Sequence, residues 1–477
     1  MRTCALVLVA VAGLARVSAA CGVAWEVAGV ATTRLACRDG DPSCDTDGVA
    51  DGRCTFRLAL CRDTTGCAGP VRVGGKAAAT VRRAVEALGT TGACTGDVVL
   101  AVRMRRTAVL RASARDAAVR RTHRERLRLA CEPATRSGAG RAVVVTTDFE
   151  TGLLATVGVR PPHAVARPDT PIHSDAVVRV FGERVYVVNR FLGDNLQVLD
   201  PRRGLATLLQ CSTGPGSNPH DVALLGERKA YVTRYDEKEL WVVDPGATSC
   251  AGFFRRAVDL GAFADDDGIP EMDQIAAVGD RVFVTVERLD RARRFAPAGR
   301  SRLVVLDATT DAVIGAVELT GANAFGDASG IVREPGTGKL VVAEAGNVLR
   351  SGDGGLERID PTTLTPEGFF ITEDELGGSV TDFVLASPTK GYAIVLDDQL
   401  RNVLVAFDPT AHVVTRRLLT RTRYLPDLAL APDGRLWLAD DALPTPGIRI
   451  FDTLTDRELT RSAIDVGLPP FSIAFVP

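Results

Sequence analysis

One two-strand phrase recurs seven times along the last two-thirds of the chain, at intervals of about 45 to 55 residues, the spacing of β-propeller blades rather than of helical solenoids. Its first members are residues 142–147, 184–189, 229–234, 281–286, 339–344, 390–395 and 435–440, all rich in β-branched or aromatic side chains that suit strands. A turn and a second run follow. In six repeats that run ends in aspartate, at Asp200, Asp244, Asp307, Asp360, Asp408 and Asp452, and four of these precede proline. Aspartate bonds the backbone ahead of it and proline presets φ, so each pair opens a tight turn toward an outer strand.

An inner strand precedes six of the phrases, at 175–178, 221–224, 273–276, 329–332, 382–385 and 427–430. The phrase at Ala142 has none before it. The chain instead ends in SIAFVP (472–477), the image of DLALAP (427–432), so the missing strand lies at the other terminus. The expected fold class is therefore all-β: a seven-bladed β-propeller over 140–477, closed by the C-terminal strand. Closure removes the exposed edge of an open array.

The repeats, above all Asn218-Pro-His-Asp-Val-Ala-Leu-Leu with Ala230-Tyr-Val-Thr and Trp241-Val-Val-Asp-Pro, resemble the YVTN-type repeats of exported bacterial proteins and lactonase-like propellers. The resemblance covers roughly 140–477 and implies a fold. Binding proteins and enzymes share that repeat, so it selects no chemistry.

At 477 residues the chain exceeds one ordinary core, and a second region is expected ahead of the ring. Residues 1–20 carry Arg2, an apolar run over 4–14 and small residues Ser18 and Ala20 before Cys21, the pattern of a secretory signal. That run is too short to span a bilayer, and no later stretch is long enough, so a secreted or periplasmic product without a transmembrane segment is expected. The alternative is a lipid anchor on Cys21. Ten cysteines beyond Cys4 can pair completely, whereas removing Cys21 leaves nine, and the parity favours the free product.

Eight of those ten lie in 21–139, a stretch too short for a large core, which reads as a small disulfide-rich β module with strands near 55–61 and 126–131. Its loop of alternating cysteines and Asp-Gly pairs resembles a Cys-rich module that recurs beside other domains in exported bacterial proteins. The carboxylates of Asp39, Asp41, Asp45, Asp47 and Asp51 could wrap a calcium ion, which takes six to eight oxygens, although the EF-hand spacing fails at Val49 and Phe56. The competing reading is a set of Asx-turns held by disulfides. In the ring, Cys211 and Cys250 follow equivalent positions of neighbouring blades, and a disulfide between them would staple those blades.

Inner strands begin at one mouth of a propeller's channel, so His173, Asp175, His220, Asp221, Asp273, Asp382 and Asp427 form the expected ligand site, with His173 and His220 placed to meet. The other reading has each aspartate bonding nearby backbone amides. No nucleophile elbow, zinc helix or phosphate loop is present. A formal charge of -2 provides no field for nucleic acid, and the Arg-rich stretch 103–141 reads as a solvated β surface in a chain that uses arginine almost throughout in place of lysine. The expected function is a non-enzymatic module that binds a protein or small-molecule ligand at the mouth. The alternative is a lactonase-like or metal-dependent hydrolase using the same Asp/His groups.

Overall fold

A computed structural model of the chain describes residues 22–27, 30–31, 34–38, 54–63, 72–75, 98–104, 107–115, 120, 122–132, 140–326 and 330–476. Contacts divide it into two compact units, one with the N-terminal strands and one with the ring.

The N-terminal unit holds two four-stranded sheets. The first orders Val30–Ala31, Gly22–Val27, Cys54–Asp63 and Val98–Met104; the second orders Arg34–Arg38, Thr122–Glu132, Thr107–Arg115 and Arg72–Gly75. Alternation decides which face is buried: Cys54, Phe56, Leu58 and Leu60 point inward from one strand, Leu127, Leu129 and Cys131 from another. Cys54 and Cys131 are disulfide-bonded, tying one sheet to the other. Both strands expected near 55–61 and 126–131 are present.

The second unit is a seven-bladed propeller of four-stranded antiparallel sheets. Blade 1 is made by the two ends of the segment: its inner strand is Pro470–Val476, followed by Arg141–Thr147, Gly152–Gly158 and Val165–Ala166. The closing register places Ile473 opposite Val144 and Ala474 opposite Val143. Blades 2 to 7 follow in chain order, with inner strands at Ala176–Phe181, Pro219–Gly226, Met272–Val278, Val332–Arg333, Ser379–Ser387 and Leu428–Leu430. Both faces of the second strands are buried. Val143, Phe471, Val187 and Val232 from blades 1 to 3 share one apolar cluster, which is how neighbouring sheets become a continuous core.

At the end opposite the mouth, the basic residue opening several second strands reaches the turn of the next blade. Arg141 donates to the Pro201 carbonyl, Lys229 to that of Ala308 at 2.8 Å, and Arg281 to that of Pro361 at 2.6 Å. Cys211, in the outer strand of blade 2, is bonded to Cys250 ahead of the outer strand of blade 3, with Cα atoms 5.4 Å apart, as expected. No helix among the described residues is long and apolar enough to cross a membrane. Residues 1–20 and Asp39, Asp41, Asp45, Asp47 and Asp51 lie outside the described residues.

Candidate functional site

Pairing with the second strand defines which inner-strand residues are equivalent. Val222, Ile275, Phe383, Leu428, Ile473 and Val178 each face the same position, at Val232, Val284, Ala393, Leu438, Val144 and Val187. The residue just ahead of each is therefore Asp221, Gln274, Asp382, Asp427, Ser472 and Val177. Four of these six clamp their blade to the next, whereas the buried Oε1 of Gln274 has no donor. Asp221 accepts from the Ile275 amide at 3.2 Å, Asp382 from Leu428 at 2.7 Å, Asp427 from Ile473 at 2.5 Å, and the Ser472 hydroxyl from Val178 at 3.2 Å.

Val177 breaks the chain of clamps because it has no acceptor, and the amide it would serve, Val222, bonds its own Asp221 instead at 2.8 Å. Phe383 does the same with Asp382 at 2.9 Å, following blade 5. Asp221 and Asp382 thus serve amides across a blade boundary as well as beside themselves. All three aspartates, Asp427 included, are nearly inaccessible, 1–3% exposed. Asp175 and Asp273 do not share the position, standing two residues and one residue ahead of it. The sequence alignment by residue type is corrected there, because the pairing register, and not the acidic side chain, sets equivalence.

Asp273 is bound differently. Its Oδ1 lies 2.8 Å from His220 Nδ1 and its Oδ2 accepts from the Gly326 amide at 3.2 Å. This places the Nδ1 proton between imidazole and carboxylate and leaves His220 Nε2 without that constraint. The Tyr235 ring stacks on the imidazole, centroids 4.1 Å apart and planes 11° apart, and the Tyr235 hydroxyl donates to Glu287 at 2.8 Å. Glu287 is 1% exposed and its other oxygen, Oε1, has no donor. Burial, then the Asp273 charge, pushes its carboxyl well above the usual carboxylate range. Glu271 beside it is pushed to about 7, chiefly by burial, even though Arg291 Nε donates to it at 2.9 Å.

Arg179 completes the mouth. Its Nε donates to Asp221 at 2.8 Å and it lies within electrostatic reach of Asp427 and Asp273. Burial opposes its charge, but those carboxylates outweigh burial and raise its proton affinity. Burial likewise dominates at Asp221, whose carboxyl stays above its ordinary range despite the guanidinium. The sequence reading missed Arg179, although a signal was present: the positions paired equivalently in the other blades are Ala223, Ala276, Val332, Val384, Ala429 and Ala474. Tyr235 and Glu287 were missed too, for they belong to second strands and the turns after them.

The remaining expected residues sit apart. Asp175 is paired with Arg190, whose Nε donates to it at 2.8 Å. His173 Nδ1 accepts from the Asp175 amide at 3.1 Å, and its own amide donates to Asn189 Oδ1 at 2.8 Å. A Cβ on Gly152 would stand 2.0 Å from the His173 carbonyl, which is why the lead-in to blade 2 can cross blade 1 so closely. The two histidines do not pair with each other: His220 reaches forward to blade 4, His173 to its own blade. Asp397, 5% exposed in the turn after Lys390–Leu396, anchors Arg401 and that turn's amides. Among the described residues no group of three or more His, Cys, Asp or Glu is arranged to hold a metal ion.

No family model matches the chain, and no curated protein matches it. Solved propellers do. A provisionally assigned 6-phosphogluconolactonase of Bacteroides uniformis superposes with a TM-score of 0.52 at 16% identity, over 71% of this chain and 100% of that one. A protein of Lactobacillus plantarum gives 0.50 at 13% identity, over 71% and 99%. At such identities the likeness is one of fold.

Proposed function

We propose that this is an exported recognition module whose mouth takes a ligand against the shelf of His220 and Tyr235, between blades 3 and 4. One observation carries the reading. The repeated carboxylates Asp221, Asp382 and Asp427 are occupied by backbone amides and Arg179, so they hold the ring together, whereas the His220 imidazole keeps an unconstrained Nε2 and 19% of its side chain exposed. A flat aromatic pair beside one polar nitrogen is a surface for a small ring or a planar group. The signal-like start supports export, and the disulfides Cys54–Cys131 and Cys211–Cys250 among the described residues suit an oxidising compartment.

A second reading has one specific observation in its favour. An imidazole held by a carboxylate at 2.8 Å, its stacked Tyr235 bonded to Glu287, is an arrangement that suits a general base, which would let the mouth hydrolyse a lactone, the class of substrate named for the Bacteroides uniformis protein. Purified protein decides. A small-molecule panel that includes lactones is scored for both melting-temperature shift and ring opening, with wild type, His220→Ala and Asp273→Asn. Stabilisation by a compound that is recovered intact, lost in His220→Ala, supports recognition. Ring opening by wild type that disappears in both variants overturns it in favour of hydrolysis.

A further inference from the structure

We infer that the cavity between blades 1 and 2, at the end opposite the mouth, is a binding site for a small organic anion bearing phosphate or carboxylate groups. The cavity holds about 460 Å³, within the range of small-molecule sites. One wall is the segment running from Ala166 to Thr170, which follows the two-residue outer strand of blade 1, Val165–Ala166.

Three guanidinium groups, Arg141, Arg167 and Arg203, line this space against one carboxylate, Asp169. Their environments differ in a useful way. Arg141 uses one amino group on the Pro201 carbonyl, and Arg167 is paired with Asp465 at 2.9 Å, so both are held in place by the fold. Arg203, in the short turn Pro201–Arg203, has no ion pair or hydrogen bond among the described residues, and neither does the Thr156 hydroxyl. Thr170, 7% exposed, donates to the Leu205 carbonyl at 3.0 Å and fixes the adjoining wall. Two positioned cations and one free fork of donors suit an oxyanion, since guanidinium matches carboxylate and phosphate bidentately.

The same stage of the repeat forms a second cavity, between blades 4 and 5, lined by Arg281, Arg333 and Lys339, which provides an internal control. There Arg281 donates to two carbonyls and Lys339 is paired with Glu367. The full-length protein is titrated calorimetrically with glycerol 3-phosphate, citrate and inorganic phosphate against sodium chloride of equal ionic strength. Saturable binding of glycerol 3-phosphate or citrate, weakened about tenfold or more by Arg203→Ala and unchanged by Arg333→Ala, is expected, because a hydrogen bond to a charged partner is at stake. Inorganic phosphate binding as tightly identifies the bare ion as sufficient, and weaker binding shows that the organic body contributes. No saturable heat with any of the three, or an affinity that Arg203→Ala leaves intact, overturns the site. Arg203 is exposed and unpaired, so an unchanged melting temperature without ligand confirms that the variant is folded.

Discussion

Replacing Asp427 by alanine tests whether the mouth aspartates are blade clamps. Asp427 is 2% exposed and its Oδ2 accepts from the Ile473 amide at 2.5 Å, on the strand that closes the ring. Alanine removes a charge-assisted hydrogen bond and leaves a buried amide unsatisfied, about 2–3 kcal/mol together. With an unfolding entropy of about 2.1 cal/mol/K per residue over the propeller, that loss lowers the melting temperature by roughly 3–4 °C. Asp427→Asn keeps an oxygen facing the amide and costs under about 1 kcal/mol. Asp382→Ala matches Asp427→Ala. Asp221→Ala costs more, about 3–5 kcal/mol, because it also strands the partly buried Arg179 charge. Asp175→Ala removes a half-buried pair with Arg190 of its own blade and no bond across a blade boundary, and costs less than Asp427→Ala, about 1–2 kcal/mol. Scanning calorimetry and guanidinium denaturation of the five variants rank them. The reasoning fails if Asp175→Ala is as damaging as Asp427→Ala, or if asparagine at 427 is no better than alanine.

Stability is expected to fall as pH rises through the window from about 4.5 to about 7. Glu271 and Glu373, both fully buried, are raised to about 7 chiefly by burial, so they favour the folded state fully below the unfolded carboxyl pKa and lose that contribution as the folded groups ionise, roughly 3 kcal/mol each. At Asp244 burial is outweighed by Arg255 and Arg228, and its lowered pKa makes a contribution that disappears only on strong acidification. Urea denaturation across pH 4 to 9 should place the maximum near the acid end of that window, with Glu271→Gln and Glu373→Gln flattening the fall; a maximum at pH 8 would contradict it. Reducing the Cys211–Cys250 bond, 39 residues apart in sequence, should cost about 3–4 kcal/mol by loop-closure entropy, read as a lower denaturation midpoint in Cys211→Ser with Cys250→Ser than in wild type. An unshifted midpoint would mean that blades 2 and 3 need no covalent tie.

The ring was legible because its signals are periodic and local. Alternating β-branched residues, Asp-Pro turns and the tail repeating 427–432 each follow from backbone chemistry that does not depend on distant partners. The Cys211–Cys250 bridge was legible because both cysteines could be assigned to the outer parts of neighbouring blades, although Cys211 lies within its outer strand and Cys250 in the turn ahead of the next. The mouth was only partly legible. Seven acidic or histidine positions were read by residue type, yet equivalence is set by pairing, and the inner strands of blades 1, 3, 4 and 6 share one register shift at their start. In that common frame Gln274 stands at the clamp position and Asp273 one residue ahead of it, where blade 3 has His220, and the two meet across the blade boundary.

Arg179 was illegible for a different reason. Its meaning comes from Asp221, Asp273 and Asp427, three residues on other blades, and nothing within its own strand announces that three carboxylates surround it. The same charge explains how aspartates can recur around a narrow channel without mutual repulsion unfolding the ring. Asp221 is paired with the guanidinium, Asp382 and Asp427 are held by amide dipoles, and Asp273 is paired with His220 and the Gly326 amide. Of the two histidines expected at the mouth, His220 is the one held by a carboxylate and stacked on an aromatic ring, which is why the proposed ligand is placed against it.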